Sequence, residues 1–370
     1  MSPFLVCLPI VDPSLERKTV RSTLLRKTGL IAIGALLSVA IGIAPANATP
    51  GLYGPQDATY DGVYRQSLMI VALRAHGQKI PAVASAWLAQ QQCPDGGFEP
   101  FRAEPGKPCV APDPTNYVGE DSNSTAAAAL AFAALGDKAR AAKAIAYLRS
   151  TQNTDGGFAY YLGGSSDVNS TAMAMLAFRA NGIAPERVVK SGKHAISYLA
   201  DNMLGCASAS PGAFAYWGEA SDKATVQALV ALRPALPWKR ASVIADYWPA
   251  CPTPNTATSL WSAAAFHTVS TLTANNFAIP IPAAWGGGTD TSDTAWAALG
   301  LVGSDRDPAI AASTVSALRV AAKDYVLDKQ GKPYPGRVAL LLLVAKANGD
   351  APQNFGGVDL LKLAKGSLGA

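Results

Sequence analysis

Gln92-Cys93-Pro94-Asp95-Gly96-Gly97-Phe98 returns as Gln152-Asn153-Thr154-Asp155-Gly156-Gly157-Phe158, and a worn copy follows at Pro211-Gly212-Ala213-Phe214. A second signature is spread the same way. Asp121-Ser122-Asn123-Ser124-Thr125-Ala126 returns as Asp167-Val168-Asn169-Ser170-Thr171-Ala172. Looser versions stand at Asp222-Lys223-Ala224-Thr225, Asn255-Thr256-Ala257-Thr258 and Asp290-Thr291-Ser292-Asp293-Thr294-Ala295. A chain that repeats itself every 50 residues or so, roughly, builds one supersecondary unit many times, and each unit buries its apolar face only against its neighbours.

The residue pattern says what the unit is. Clustered Asp, Asn, Ser and Thr side chains accept the orphan N–H groups of a first helical turn, so each signature marks a helix start. An almost wholly apolar segment follows, as in Thr125–Leu135 and Thr171–Ala180, and a helix apolar all round is buried on all sides. Gly77, Gly136 and Gly182 end these helices. The next segments carry apolar residues on one stripe only: Val83, Ala86 and Trp87, then Ala141, Ile145 and Leu148, then Ile196, Leu199 and Met203. They predict half-exposed helices, after which Asp-Gly-Gly-Phe turns the chain back. Fully buried helices alternating with half-buried ones define two concentric rings, an all-α α/α toroid of about six hairpins. Starts near Asp61, Asp121, Asp167, Asp222, Asn255, Asp290 and Pro335 number one too many. An incomplete unit is therefore expected, at 255–285 or at the end.

Residues 1–48 read as an export signal. Arg26 and Lys27 precede an apolar stretch from Leu30 to Ile43, and Ala46-Asn47-Ala48 is a small-x-small cleavage site. The expected mature chain is 49–370, a single secreted toroid domain and a monomer. The first 48 residues hold five of the 31 Lys and Arg and two of the 26 Asp and Glu, which leaves a net charge of +2. That balance argues against a nucleic-acid partner and against charge-driven membrane binding. Four cysteines remain, an even count that favours disulfides in an exported chain. Of the three pairings, the local one joins Cys93 to Cys109 and Cys206 to Cys251. The first bridge is worth about 3 kcal/mol in the chain-entropy model. The cysteine spacings and the three histidines are a poor zinc set, so neither a metal nor a cofactor is expected.

Gln-x-x-Asp-Gly-Gly-Phe at the end of an outer helix resembles the repeat of squalene–hopene cyclases and of protein prenyltransferase β subunits. Asp-x-Asn-Ser-Thr-Ala before an apolar helix also resembles the toroid of transcobalamin and intrinsic factor. The chain as a whole is most like secreted proteins carrying prenyltransferase/squalene oxidase repeats. The resemblance spans roughly 55–365 and implies the toroid fold. In the cyclases an Asp-x-Asp-Asp-Thr-Ala motif supplies the acid that protonates the substrate. Here the matching run is Asp290 to Ala295, with Ser292 at the acid's position, and a serine hydroxyl does not protonate an alkene.

Asp121, Asp167, Asp222, Asp290 and Asp293 are expected where inner helices begin, around one mouth of the ring. Helix capping explains such residues. Asp290 and Asp293 are the candidate catalytic pair, because two close carboxylates share a proton and one pKa rises. Tyr161, Trp217, Trp285 and Trp296, with Asp121 and Asp167, are the candidate ligand contacts. Three functions compete. The first is a secreted protein that binds an apolar or planar ligand, isoprenoid- or corrinoid-like, without cyclase chemistry. The second is a terpenoid cyclase or prenyltransferase-like enzyme, and the third a cell-envelope scaffold. An open aromatic-lined cavity favours the first two, and a centre plugged by side chains favours the third. N-terminal sequencing of the exported protein should begin at Thr49; a start near Met1 would rule out the export reading.

Overall fold

The computed structural model describes residues 49–238, 255–304 and 306–369. The expected signal segment and Cys251 lie outside the described residues. Six helices form an inner ring: α1 (Gly62–Ala75), α3 (Ser122–Leu135), α5 (Val168–Ala180), α7 (Asp222–Leu232), α9 (Thr291–Leu301) and α11 (Pro335–Asn348). Each packs on the next, and α11 packs on α1, so the ring closes. Six helices lie outside them: α2 (Ala82–Gln91), α4 (Lys138–Thr151), α6 (Ala195–Asp201), α8 (Ala257–Ala274), α10 (Pro308–Val326) and α12 (Leu360–Gly366). Every inner helix packs against the outer helix that follows it. Among the described residues no helix is long and apolar enough to cross a membrane.

The surplus start disappears in this arrangement. Asn255 precedes α8, and α8 is the outer helix of the unit that α7 opens. Its first turn is capped by Thr256, whose hydroxyl accepts from the Ser259 N–H at 3.1 Å. The polar cluster was a genuine helix start, but on the outer ring. No incomplete unit is needed, and six hairpins account for the described chain.

Two features set the unit's geometry. In four units the backbone N–H at the end of the return turn donates to a threonine hydroxyl in the first turn of the inner helix. Phe98 donates to Thr125 at 3.0 Å, Phe158 to Thr171 at 3.0 Å, Phe214 to Thr225 at 2.9 Å and Ile279 to Thr294 at 2.9 Å. The threonine thus ties the turn to the helix it feeds, and Ile279 identifies a copy of the turn that has lost its Gly-Gly-Phe. The glutamines brace neighbouring units. Gln92 donates to Gly96 O and to Arg140 O in α4, and Gln152 to Gly156 O and Val188 O.

Hairpins replace the turn before the next inner helices. β1 (Phe214–Tyr216) pairs antiparallel with β2 (Glu219–Ser221) ahead of α7, and β3 (Ile279–Pro280) with β4 (Thr289–Asp290) ahead of α9. The segments 51–54 and 367–369 pair across the seam between α1 and α11, with Gly51 N to Gly369 O at 3.1 Å and Gly54 N to Ser367 O at 2.6 Å. Cys93 and Cys109 form the expected disulfide, with Cα atoms 5.9 Å apart. Cys206 is also disulfide-bonded.

Gly156 shows why the turn needs glycine. Its φ is +89°, and an added Cβ would sit 2.6 Å from His194 N at the start of α6. Gly182 has φ +73° with nothing within 4 Å of an added Cβ. Gly182→Ala should therefore lose only the left-handed penalty of about 1–2 kcal/mol. Gly156→Ala should lose visibly more, because the next unit must also move. Denaturant melts of the two variants check the difference; equal losses would mean that unit-to-unit packing at this turn is soft.

Candidate functional site

Because every inner helix runs the same way from a turn or hairpin, their N-termini gather on one face, the mouth. Three of the five candidate acids act there as caps. Asp121 Oδ1 accepts from Ser124 N at 2.7 Å, Asp167 Oδ1 from Ser170 N at 2.7 Å, and Asp290 Oδ1 from Asp293 N at 2.9 Å. Asp222 does not cap. Ser221 takes that role for α7, and Asp222 instead pairs with Nε2 of His267 on α8 at 2.8 Å.

Asp290 and Asp293 are close, as the sequence spacing requires, but unlike. Asp290 is held by its cap and half-buried. Asp293 is 6 % exposed, and its carboxylate makes no hydrogen bond to the described residues. Burial pushes its pKa up to about 7, Asp290 and Asp222 add to the rise, and Lys223 opposes it. Burial alone lifts Asp121 to about 7 against the pull of its cap bonds. Its Oδ2 is buried without a partner. Asp167 is raised by burial too.

The groups around Asp293 come from distant parts of the chain. Tyr64 on α1 stands near enough that Asp293 contributes to its raised pKa of about 12, which burial dominates. The Ser292 hydroxyl lies 2.8 Å from the Tyr325 hydroxyl on α10. The guanidinium of Arg337 covers the Tyr325 and Tyr334 rings at 5.3 and 4.3 Å. Sequence reasoning passed over Tyr64, Lys223, His267, Tyr325 and Arg337. The one available signal was Tyr64, the one aromatic residue of the inner helix α1.

The aromatic candidates divide by depth. Trp296 is 7 % exposed and lines the ring's axis together with Tyr64, Leu68, Met173 and Trp238. The cavity left there is apolar and about 20 Å³ in volume, room for about one water. Tyr161 is 7 % exposed, with its hydroxyl on Tyr117 O at 2.9 Å and its ring against Tyr160 at 4.7 Å. Trp217 and Trp285, by contrast, are 79 % and 77 % exposed. They stand in the β1–β2 and β3–β4 connections, which feed the adjacent inner helices α7 and α9. The mouth therefore has buried acids at its floor and an aromatic rim, above a centre filled by side chains.

The squalene–hopene cyclase N-terminal domain family matches residues 121–193, which covers both full copies of the Asp-x-Asn-Ser-Thr-Ala signature. Among solved structures, a protein from Actinoplanes has TM-score 0.54 at 13 % identity, over 82 % of this chain and 95 % of that one. A GH76 α-mannanase from Bacteroides thetaiotaomicron has TM-score 0.44 at 11 % identity, over 77 % and 86 %. No curated protein matches the chain in sequence. The family match and the closed double ring support the terpenoid-cyclase and prenyltransferase-like α/α toroid superfamily. They define a fold, and one fold hosts many functions.

The carboxyl of Asp293 makes a pH-dependent prediction. Its folded pKa of about 7 is above that of an unfolded Asp, so the folded state keeps a proton that the unfolded chain releases. This contribution is complete below about pH 4 and is lost as pH rises through 7. Asp293→Asn removes the titration and keeps the neutral shape. Its melting temperature relative to the unsubstituted protein should rise from pH 5 to pH 8; a difference independent of pH would show that Asp293 titrates normally.

Proposed function

We propose that the chain is a secreted toroid binding protein that holds an apolar or planar ligand on its mouth face, without cyclase chemistry. Trp217 carries the reading. It and Gly218 are the two central residues of a β-hairpin, at φ +56° and +84°. Such turns take Asn-Gly or Asp-Gly, and a bulky residue at positive φ is strained by about 1–2 kcal/mol. Trp217 is 79 % exposed, its ring meets the ring of Tyr216 in its own hairpin at 6.1 Å, and strain of this kind collects at ligand sites. Trp285 offers a second indole on the neighbouring hairpin, followed by Gly286, Gly287 and Gly288, all at positive φ. Exposed indoles bind flat or apolar surfaces by burying large area at low entropic cost.

Two further observations weigh against catalysis in the centre. Ser292 occupies the acid's position and is engaged with Tyr325. The apolar cavity that the described residues leave on the axis, about 20 Å³, is too small for a polyprenyl chain. The same filled axis favours a second reading, a cell-envelope scaffold whose ring surface meets other proteins. Export accords with the disulfide at Cys93 and Cys109.

Trp217→Asn separates these readings. Asparagine prefers the left-handed turn, so the variant should be more stable by about 1 kcal/mol. It should also lose small molecules that co-purify with the native protein, as read by mass spectrometry. Unchanged retention with the stability gain would leave Trp217 without a binding role and favour the scaffold.

A further inference from the structure

Glu120 stands directly before the cap Asp121, as Ser166 stands directly before the cap Asp167. The two positions meet the same surroundings. In each copy the turn aspartate accepts the second glycine's N–H, Asp95 Oδ1 from Gly97 at 3.0 Å and Asp155 Oδ1 from Gly157 at 2.9 Å. In each a tyrosine of the next outer helix packs on that glycine. An added Cβ would come within 2.6 Å of the Tyr147 ring at Gly97 and 2.7 Å of the Tyr198 ring at Gly157.

The second copy shows how this corner is satisfied. The Ser166 hydroxyl donates to Asp155 Oδ1 at 2.8 Å, and the Tyr198 hydroxyl donates to Ser166 O at 2.7 Å. The first copy changes both bonds. Glu120 replaces the serine, and a carboxyl donates to Asp95 only while it carries its proton. The Tyr147 hydroxyl is buried without a partner among the described residues. Glu120 is 5 % exposed and within hydrogen-bonding reach of Asp95. Asp95 faces it from the turn, Glu99 and Arg102 from the chain that follows, Asp121 from the start of α3 and Tyr147 from α4. Arg102 is the one cation of this set, and Glu99 at 3.6 Å and the carbonyls of Gln90 and Pro105 engage it. Burial pushes the Glu120 carboxyl up to about 7, with Asp95 and Glu99 adding to the rise and Arg102 opposing it.

Glu120 also ends a largely exposed run, residues 110–119. The disulfide at Cys109 fixes one end of this run, and the bond from Asp121 N to Phe98 O at 2.9 Å fixes the other. Glu120 N donates to Val110 O at 3.3 Å. Val110 N donates to Glu99 Oε1 at 3.0 Å, and Tyr117 O accepts from the Tyr161 hydroxyl at 2.9 Å.

We propose that residues 110–119 are a proton-controlled strap, fastened to the first Asp-Gly-Gly-Phe turn by the Glu120 carboxyl when protonated and released when it ionises. The protonated acid does for Asp95 what the Ser166 hydroxyl does for Asp155. The ionised acid repels Asp95 and Glu99, and the Tyr147 hydroxyl offers it a donor that the protonated form leaves unused. Release loosens the ties at Val110 and Tyr117 and uncovers Tyr161 at the mouth. The strap needs no ligand, so it stands apart from the tryptophan reading.

The sign follows from the folded pKa lying above the ordinary glutamate value of about 4.3. Fastening is complete below that value and is lost as pH rises through about 7. Amide hydrogen exchange by NMR reads it. After correction for intrinsic exchange, protection of the Val110 and Glu120 amides should fall about tenfold from pH 6 to pH 8. Glu120→Ser installs the second copy's residue and Glu120→Gln a neutral donor of the same shape. In both, residue 120 and Val110 should keep the same protection at the two pH values. Asp121→Asn keeps a capping side chain and should leave the native fall intact. No fall in the native protein, or the same fall in both Glu120 variants, would overturn the proposal. So would a fall abolished by Asp121→Asn alone, which would assign the titration to the cap.

Discussion

A single hydroxyl, that of the threonine in the first turn of an inner helix, fixes how the chain passes from the outer ring to the inner in four of the units. In three units the threonine Oγ1 donates to the carbonyl of the capping residue, at 2.7 Å for Thr125, 2.7 Å for Thr225 and 2.6 Å for Thr294. In the same units it accepts the N–H at the end of the preceding turn or strand. Removing it would leave that buried N–H unpaired, which costs about 1–3 kcal/mol, more than the bond's net worth. With the exit and entry angles held, the glutamine at each full turn reaches a fixed point on the next unit, and the ring's pitch is set by local chemistry repeated.

Much of this was legible because it is local. The caps at Asp121, Asp167 and Asp290 follow from side-chain type, and the buried inner helices from their lack of a polar face. Thr125 was legible as part of a helix start, but its bond to Phe98 spans 27 residues and depends on how the turn is placed. Asn255 misled for a related reason: a cap looks the same on either ring, and only packing assigns α8 to the outside. The short hairpins before α7 and α9 have too few residues to show alternation.

The candidate site was legible in part. Sequence spacing brought Asp290 and Asp293 together, yet the property that distinguishes them is burial, supplied by α1 and the neighbouring inner helices. Ser292 was visible as a lost acid, and its pairing with Tyr325 needed the fold. The tryptophans could not be sorted by depth from composition: Trp296 fills the axis while Trp217 and Trp285 stand in solvent. In the loops at the rim, backbone strain and exposed rings coexist without disturbing the packed helices.

The seam between α1 and α11 is stitched by bonds that the repeat signatures do not supply. Gln66 of α1 accepts from Tyr53 N and donates to Gly51 O and Ala84 O, and His76 contacts Leu342 O at 2.8 Å. Thr49 O lies so near Gly369 that a Cβ there would be 2.5 Å away. Sequence neighbours drive the other contacts, but this junction joins residues more than 300 positions apart, so its loop-closure entropy falls on one event. The order of units is thus topologically arbitrary. A circular permutant that links 369 to 49 and opens at the start of another unit would traverse the same ring, with the costly closure moved to a junction built from ordinary repeats.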